Sequence, residues 1–438
     1  MIHTFFVGAS LLRISYICAT NMNGQQLNYF KQKALTWATS FEVCCCLDSN
    51  NYADLYGKFD FIIAAGVKAE LNASSKDKFT ELKAFHDQQS DWMFGLLSYD
   101  LKNETEALSS EHPDHIQMPE LFFFVPEYLI AITAGNIEVL RGADTVIDEI
   151  HQTVPLIADL KKDLNIQSRF SKEQYLETVV KLQQHISRGD IYEVNFCQEF
   201  FAEHAAIDPV QVYQKLSEVS PTPFSGFFKI RSQYILSASP ERFLCKRGSR
   251  LISQPIKGTA KRSTNPLNDE LIKEELRQDQ KEQAENVMIV DLVRNDLTKS
   301  ALRGSVTVDE LFGIYSFPQV FQMISTISCE LDPDIHFIDA IRNTFPMGSM
   351  TGAPKLKAME LIETYEKSKR GAYSGAFGYI TPDEDFDFNV IIRSILYTAE
   401  SRYLSFQVGG AITYAAEPIA EYEECLLKAS AIVQTLTQ

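Results

Sequence analysis

The chain lacks an excess of positive charge. It sets 41 Lys and Arg against 58 Asp and Glu, for a formal net charge of −17. Nucleic acids and anionic membrane surfaces reward basic patches, so neither is an expected partner. The eight cysteines (Cys18, Cys44, Cys45, Cys46, Cys197, Cys245, Cys329 and Cys425) form no CxxC pair, and no His stands at zinc-finger spacing. A disulfide framework and a structural zinc are therefore not indicated, and buried reduced thiols in a cytoplasmic protein are the expected state. No internal repeat or low-complexity segment occurs. The apolar stretch 5–18 is too short to span a bilayer, is interrupted by Arg13 and has no basic lead, so neither a membrane helix nor a signal peptide is expected. Residues 1–22 are set apart as an N-terminal extension; one reading places the natural start at Met22, with residues 1–21 upstream of it.

What is present fits a large globular protein. With 438 residues, 45% apolar and 23% charged, the chain suffices for one large fold or two lobes. From Met22 onward it reads as the polar start of a helix. Residues 44–46 alternate faces if they form a strand. Segments 122–125 and 128–133 read as buried strands around Pro126, and 102–115 as a polar loop. Ser171, with Gln174 three residues later, predicts a capped helix to about residue 188. Beyond residue 190, segments 194–200, 225–230, 233–237 and 243–247 read as strands, and 279–297 and 417–436 as helices. Runs of strands with grouped helices predict an α+β fold rather than βαβ alternation.

Five blocks carry the chemistry. The first is Gln254-Pro255-Ile256-Lys257-Gly258-Thr259, with Lys257 beside a Gly-Thr turn. The second runs from Asp279 through Glu282 and Glu285 to Leu297. The third, 345–355, holds Ser349 and Gly352-Ala353-Pro354-Lys355. The fourth, 371–379, holds Tyr373. The fifth begins at Gln407-Val408-Gly409-Gly410 and continues through Glu421, Glu424 and Lys428. Glutamates three apart share one helical face. One such pair alone is an ordinary solvated face; two that converge would suit a hard, oxygen-seeking cation such as Mg²⁺.

The order and spacing of these blocks resemble the chorismate-utilising enzymes: anthranilate, aminodeoxychorismate, isochorismate and salicylate synthases. The likeness is strong over about residues 165–435 and weak over 23–160, where Gly95 to Asp100 resembles an N-terminal family element. It implies two large packed antiparallel sheets flanked by helices, with the site in a central cleft. The expected portions are 23–164, N-terminal, and 165–438, chorismate-binding and catalytic.

The resemblance also implies roles. Glu285 and Glu424 would be direct Mg²⁺ ligands, with Glu282 and Glu421 acting through water. Glu241, in Ser239-Pro240-Glu241-Arg242-Phe243, would be the acid or base at C4 of chorismate. Arg393 and Tyr373 would hold the enolpyruvyl carboxylate, Gly409 and Gly410 would offer backbone N–H groups, and Gly258, Thr259, Ser349 and Lys428 would complete the substrate site.

Pro-Ile-Lys-Gly-Thr is the form seen in aminodeoxychorismate synthase component I; anthranilate synthases usually have Ala at the position of Lys257. The lysine would be a covalent nucleophile, which requires its neutral form. Ser349 replaces the Thr usual in anthranilate synthases. Glu193 stands where isochorismate and salicylate synthases carry a water-activating lysine. Gln322 replaces a histidine tied to pyruvate elimination. No glutaminase block of the Gly-x-Cys-x-Gly type occurs, so ammonia is expected from a glutamine amidotransferase partner or from solution. The expected activity is amination of chorismate to 4-amino-4-deoxychorismate in para-aminobenzoate and folate biosynthesis. The alternatives are anthranilate synthase component I and a non-catalytic chorismate-binding regulatory subunit.

Overall fold

The computed structural model describes residues 17–18, 23–155, 164–317 and 320–437. The expectation for residues 1–22 thus lies almost wholly outside them.

Two antiparallel sheets dominate, one of twelve strands and one of ten. Both mix strands from the two ends of the chain. In the larger sheet Val43–Asp48 pairs with Phe224–Ile230; in the smaller, Met93–Leu97 pairs with Ala376–Ile380. Strands from before and after residue 165 therefore share both sheets. Eleven α-helices among the described residues complete an α+β fold.

Alternation along the strands divides the apolar side chains between two cores. On Val43–Asp48, Cys45 joins the core shared by both sheets, while Cys44 and Cys46 face the helices on the outer side of the larger sheet. Their buried thiols are all pushed up, so they serve as small apolar groups. Local signals set several helix starts. Asn23 and Gln26 form a capping box on Gly24–Ala38, as Ser171 and Gln174 do on Lys172–Ser187. Lys102, in the stretch read as a polar loop, is fully buried in a short helix; its ammonium meets Glu363 at 2.8 Å and lies over the Tyr99 ring. Among the described residues, no helix is long and apolar enough to cross a membrane.

Candidate active site

The site is built where the strand Ile256–Lys261, the helix Gln280–Thr298, the strand Glu193–Ala202 and the helix Pro418–Thr437 meet. Asp279 caps the first helix by accepting from the N–H groups of Lys281 and Glu282, which sets Glu282 in its first turn. Asn286 on that helix donates to the Lys257 carbonyl at 3.4 Å and accepts from Ser325 Oγ at 2.6 Å, tying helix to sheet.

Lys257, Gly258 and Thr259 lie on one strand rather than at a turn; Gly258 supplies an irregularity, at φ 99°. A side chain at Gly258 would crowd Glu282 and Met323 at 3.1 Å. Lys257 Nζ donates to Glu193 Oε1 at 2.6 Å; the Glu193 side chain is buried and that of Lys257 nearly so. Burial alone lowers the Lys257 pKa. The carboxylates of Glu193, Glu285 and Glu241 more than offset it, and the ammonium is held above the ordinary lysine value. The neutral lysine that nucleophilic attack needs is therefore not the resting state of the free site.

Glu241 follows the strand Gln233–Ser239 and is buried. Burial pushes its carboxyl up to about 7, although Ser349 Oγ donates to it at 2.6 Å, Lys257 lies near, and the Ile256 N–H also bonds to it. It is thus poised to carry a proton at neutral pH. Ser349 itself sits in a short 3₁₀ turn, with its carbonyl accepting from Asn195 at 2.9 Å. The Ser349 hydroxyl stabilises the ionised carboxylate and so lowers the Glu241 pKa. Ser349→Ala should therefore raise it and shift the alkaline limb of the pH–rate profile upward by about one unit. An unmoved limb would show that Glu241 does not set it.

Arg393 lies just outside a strand. The strand is Ser394–Thr398, and Arg393 precedes it in the left-handed region at φ 52°. Its guanidinium makes no ion pair among the described residues; one bond reaches the Lys428 carbonyl at 3.4 Å. Desolvation lowers its pKa. A desolvated cation without a counter-ion fits a site that receives a carboxylate. Tyr373 is buried, with its hydroxyl 3.5 Å from Cys197 Sγ.

The two glycines differ. A side chain at Gly409 would run into the Phe196 carbonyl at 2.0 Å, so strand packing demands that glycine. Gly410 faces the site: a Cβ there would lie 3.4 Å from Glu421, 3.5 Å from Lys428 and 3.7 Å from Glu424. Lys428 is already engaged, by Glu424 at 2.7 Å and the Gly409 carbonyl at 3.0 Å. Thr259 is exposed and in register with Gln322. Lys355 is tied to Asp296 at 2.7 Å and joins two helices.

The two acidic helix faces do converge. Lys281, which sequence reasoning passed over, sits between them, 3.9 Å from Glu285 and 3.8 Å from Glu421. Its position four residues before Glu285 was the available signal. Burial pushes Glu285 to about 7 and also raises Glu282 and Glu421, whereas Lys428 holds Glu424 low. Glu285 Oε1 is buried without a hydrogen-bond partner, the Lys281 ammonium standing 3.9 Å away. An oxygen-only donor set with an orphaned carboxylate oxygen, and an ammonium standing between the faces, fits a hard divalent cation.

No three of the four glutamates bring ligand atoms within 4.8 Å of one another; among the described residues only His86, Asp87 and His336 do. That trio is a hydrogen-bonded clasp. His336 Nδ1 accepts the Ile338 N–H, so the neutral ring keeps its proton on Nε2, toward Asp87 at 3.3 Å.

A family model described as chorismate binding enzyme matches residues 42–434. The chain belongs to that family. Aminodeoxychorismate synthase component 1 of Klebsiella aerogenes is 35% identical over 347 residues, covering 78% of this chain and 76% of that protein. Anthranilate synthase component 1 of Thermus thermophilus is 32% identical over 356 residues, with the same coverage of each. The crystal structure of anthranilate synthase component I from Streptococcus pneumoniae matches with a TM-score of 0.76 at 25% identity, covering 87% of this chain and 93% of that one. The family thus holds relatives named for different reactions at similar identity, and the choice among reactions falls to individual side chains.

Proposed function

We propose that the chain is component I of an aminodeoxychorismate synthase, converting chorismate and ammonia to 4-amino-4-deoxychorismate on the route to para-aminobenzoate and folate. One observation carries this reading: Lys257, set among carboxylates, lies beside Glu241, a carboxyl poised near 7. Relatives named as component 1 support a second component, a glutamine amidotransferase that supplies ammonia.

Lys257 adds at C2 of the ring as Glu241 gives its proton to the departing C4 hydroxyl. Hydroxide is a poor leaving group, so a carboxyl still protonated near pH 7 is what this step needs. Ammonia then attacks C4, the double bonds shift back, and Lys257 leaves. Arg393, partly buried and with no ion pair among the described residues, binds the enolpyruvyl carboxylate. Gly410 admits the ligand toward the strand Tyr403–Ile412. Gly258, Thr259, Ser349, Tyr373 and Lys428 line or shape the same region.

Mg²⁺ is the cation the carboxylates suit, with Glu285 and Glu424 as ligands and Glu282 and Glu421 acting through water; bound there, it would offset the acid cluster and the substrate's ring carboxylate.

Gln322 favours amination without loss of the enolpyruvyl arm. It is buried, its Oε1 has no partner, and an amide neither takes nor gives a proton near neutral pH. Incubation with chorismate, Mg²⁺ and ammonium should give an aminated ring that keeps its arm, seen by mass, without stoichiometric pyruvate. Fluorescent anthranilate with equimolar pyruvate would instead show an anthranilate synthase. Chorismate binding without turnover would show a regulatory subunit.

A further inference from the structure

The mechanism leaves one question open: where the Lys257 proton goes. We propose that Glu193 is the proton store of the covalent step, taking the proton from the Lys257 ammonium before attack on C2 and returning it when the lysine leaves. The proposal rests on the amination reading above and names a catalytic residue that it lacks.

The placement supports it. Glu193 opens the strand Glu193–Ala202, pairs with Ala353 and is 1% exposed. Gly352 packs so closely that a Cβ there would lie 2.2 Å from the Glu193 carbonyl oxygen, which pins the backbone at this point. Oε1 accepts from Lys257 Nζ at 2.6 Å, and Oε2 is buried with no partner. The one donor it meets is thus the ammonium whose proton it would take.

The other acids around Lys257 are worse placed. Glu241, from the turn before Arg242–Arg247, must be protonated to act at C4 and is held by Ser349. Glu282 and Glu285, on Gln280–Thr298, act on Lys257 only through space. Glu421 and Glu424, on Pro418–Thr437, likewise act through space.

Protons and bonds balance. Lys257 passes one proton to Glu193, and its free amine forms the N–C2 bond. The C4–O bond breaks, and the oxygen leaves as water with the proton from Glu241. The ionised Glu241 takes a proton from an arriving ammonium ion. The resulting ammonia forms the N–C4 bond as the N–C2 bond breaks. Lys257 departs as a neutral amine and recovers its proton from Glu193. The product leaves as an ammonium, and both carboxyl groups are reset. Each acid thus serves one ring carbon.

The test is Glu193→Gln, which keeps the shape and a hydrogen-bond acceptor but removes the base. The full chain is mixed with chorismate and Mg²⁺ without ammonia, and the rate of the Lys257 adduct is followed by mass spectrometry across pH. Calorimetric chorismate affinity serves as the control. In the wild type the transfer to Glu193 is internal, so adduct formation responds only to Glu241. In the variant the proton must go to solution. Adduct formation should therefore be slower by about 100-fold or more at pH 7, and the wild-type to variant ratio should fall about tenfold per pH unit as pH rises. A group that only neutralises the lysine would alter affinity or melting and leave that ratio flat.

Glu193→Asp withdraws the carboxylate by one methylene; it should slow the adduct while keeping the wild-type pH profile. It carries the test should the Gln variant not fold. A wild-type adduct rate in either variant, or a pH-independent ratio for Gln, overturns the proposal and leaves the amination reading standing. A wild-type enzyme that aminates chorismate with no Lys257 adduct overturns the covalent route and this proposal together.

Discussion

Lys257→Ala should lower the amination rate by on the order of 10³-fold or more and abolish the adduct seen with wild type and chorismate in the absence of ammonia. The covalent route disappears with the side chain. Lys257→Arg should not rescue it, because a guanidinium stays protonated at neutral pH and cannot attack C2. The alanine variant also strands Glu193, a carboxylate with 1% exposure whose one hydrogen-bond donor is Lys257. Removing one member of such a pair costs about 3–5 kcal/mol unless the survivor takes up a proton. A Lys257→Ala, Glu193→Gln double variant should therefore recover thermal stability and not activity. That combination separates lost chemistry from lost folding. Ammonia-dependent kinetics left unchanged in Lys257→Ala would mean that the lysine only neutralises its surroundings.

How much of this was legible in the sequence depends on the range of the interaction. Short-range signals were sufficient for Ser171 with Gln174, and for Asp279 capping the helix that carries Glu282 and Glu285, because a cap and a helix face are set within a few residues. Pairings across hundreds of residues left no trace in periodicity. Nothing local in Val43–Asp48 announces that it lies beside Phe224–Ile230. Glu193 was read only as the absence of a lysine, although it is the partner of a residue 64 positions away. Arg393 sits in an apolar run that suggests a strand. Its positive φ turns the backbone there, and the guanidinium makes no ion pair among the described residues, which no count of apolar neighbours reveals. Gly409 and Gly410 look equivalent in sequence. They differ because strand neighbours alternate faces, so one meets the Phe196 carbonyl and the other the acidic cluster.

The two glutamates proposed as direct metal ligands should respond in opposite ways in metal-free protein, although losing either should cost Mg²⁺-dependent turnover at least about 100-fold. Glu285 is buried, and burial raises its pKa to about 7. A carboxyl whose folded pKa lies above its unfolded value destabilises the fold as pH rises from the unfolded pKa to the folded one, because the folded state holds the proton longer. Above pH 7 that cost is complete, on the order of 3 kcal/mol. Glu285→Gln should thus raise the melting temperature at pH 8 without metal and weaken the further rise that Mg²⁺ gives the wild type. Glu424 is half-exposed, and Lys428 holds its pKa below the ordinary value, so its charge is stabilising once pH exceeds the unfolded pKa and is lost as pH falls through the folded one. Glu424→Gln should lower the metal-free melting temperature slightly, by less than about 1 kcal/mol of stability because solvent screens the pair. Calorimetry at pH 8, with and without Mg²⁺, reads both effects. Equal metal-free shifts of one sign would overturn the opposed ionisation of the two carboxyls, and a Mg²⁺ response undiminished in both variants would show that they do not form a cation site.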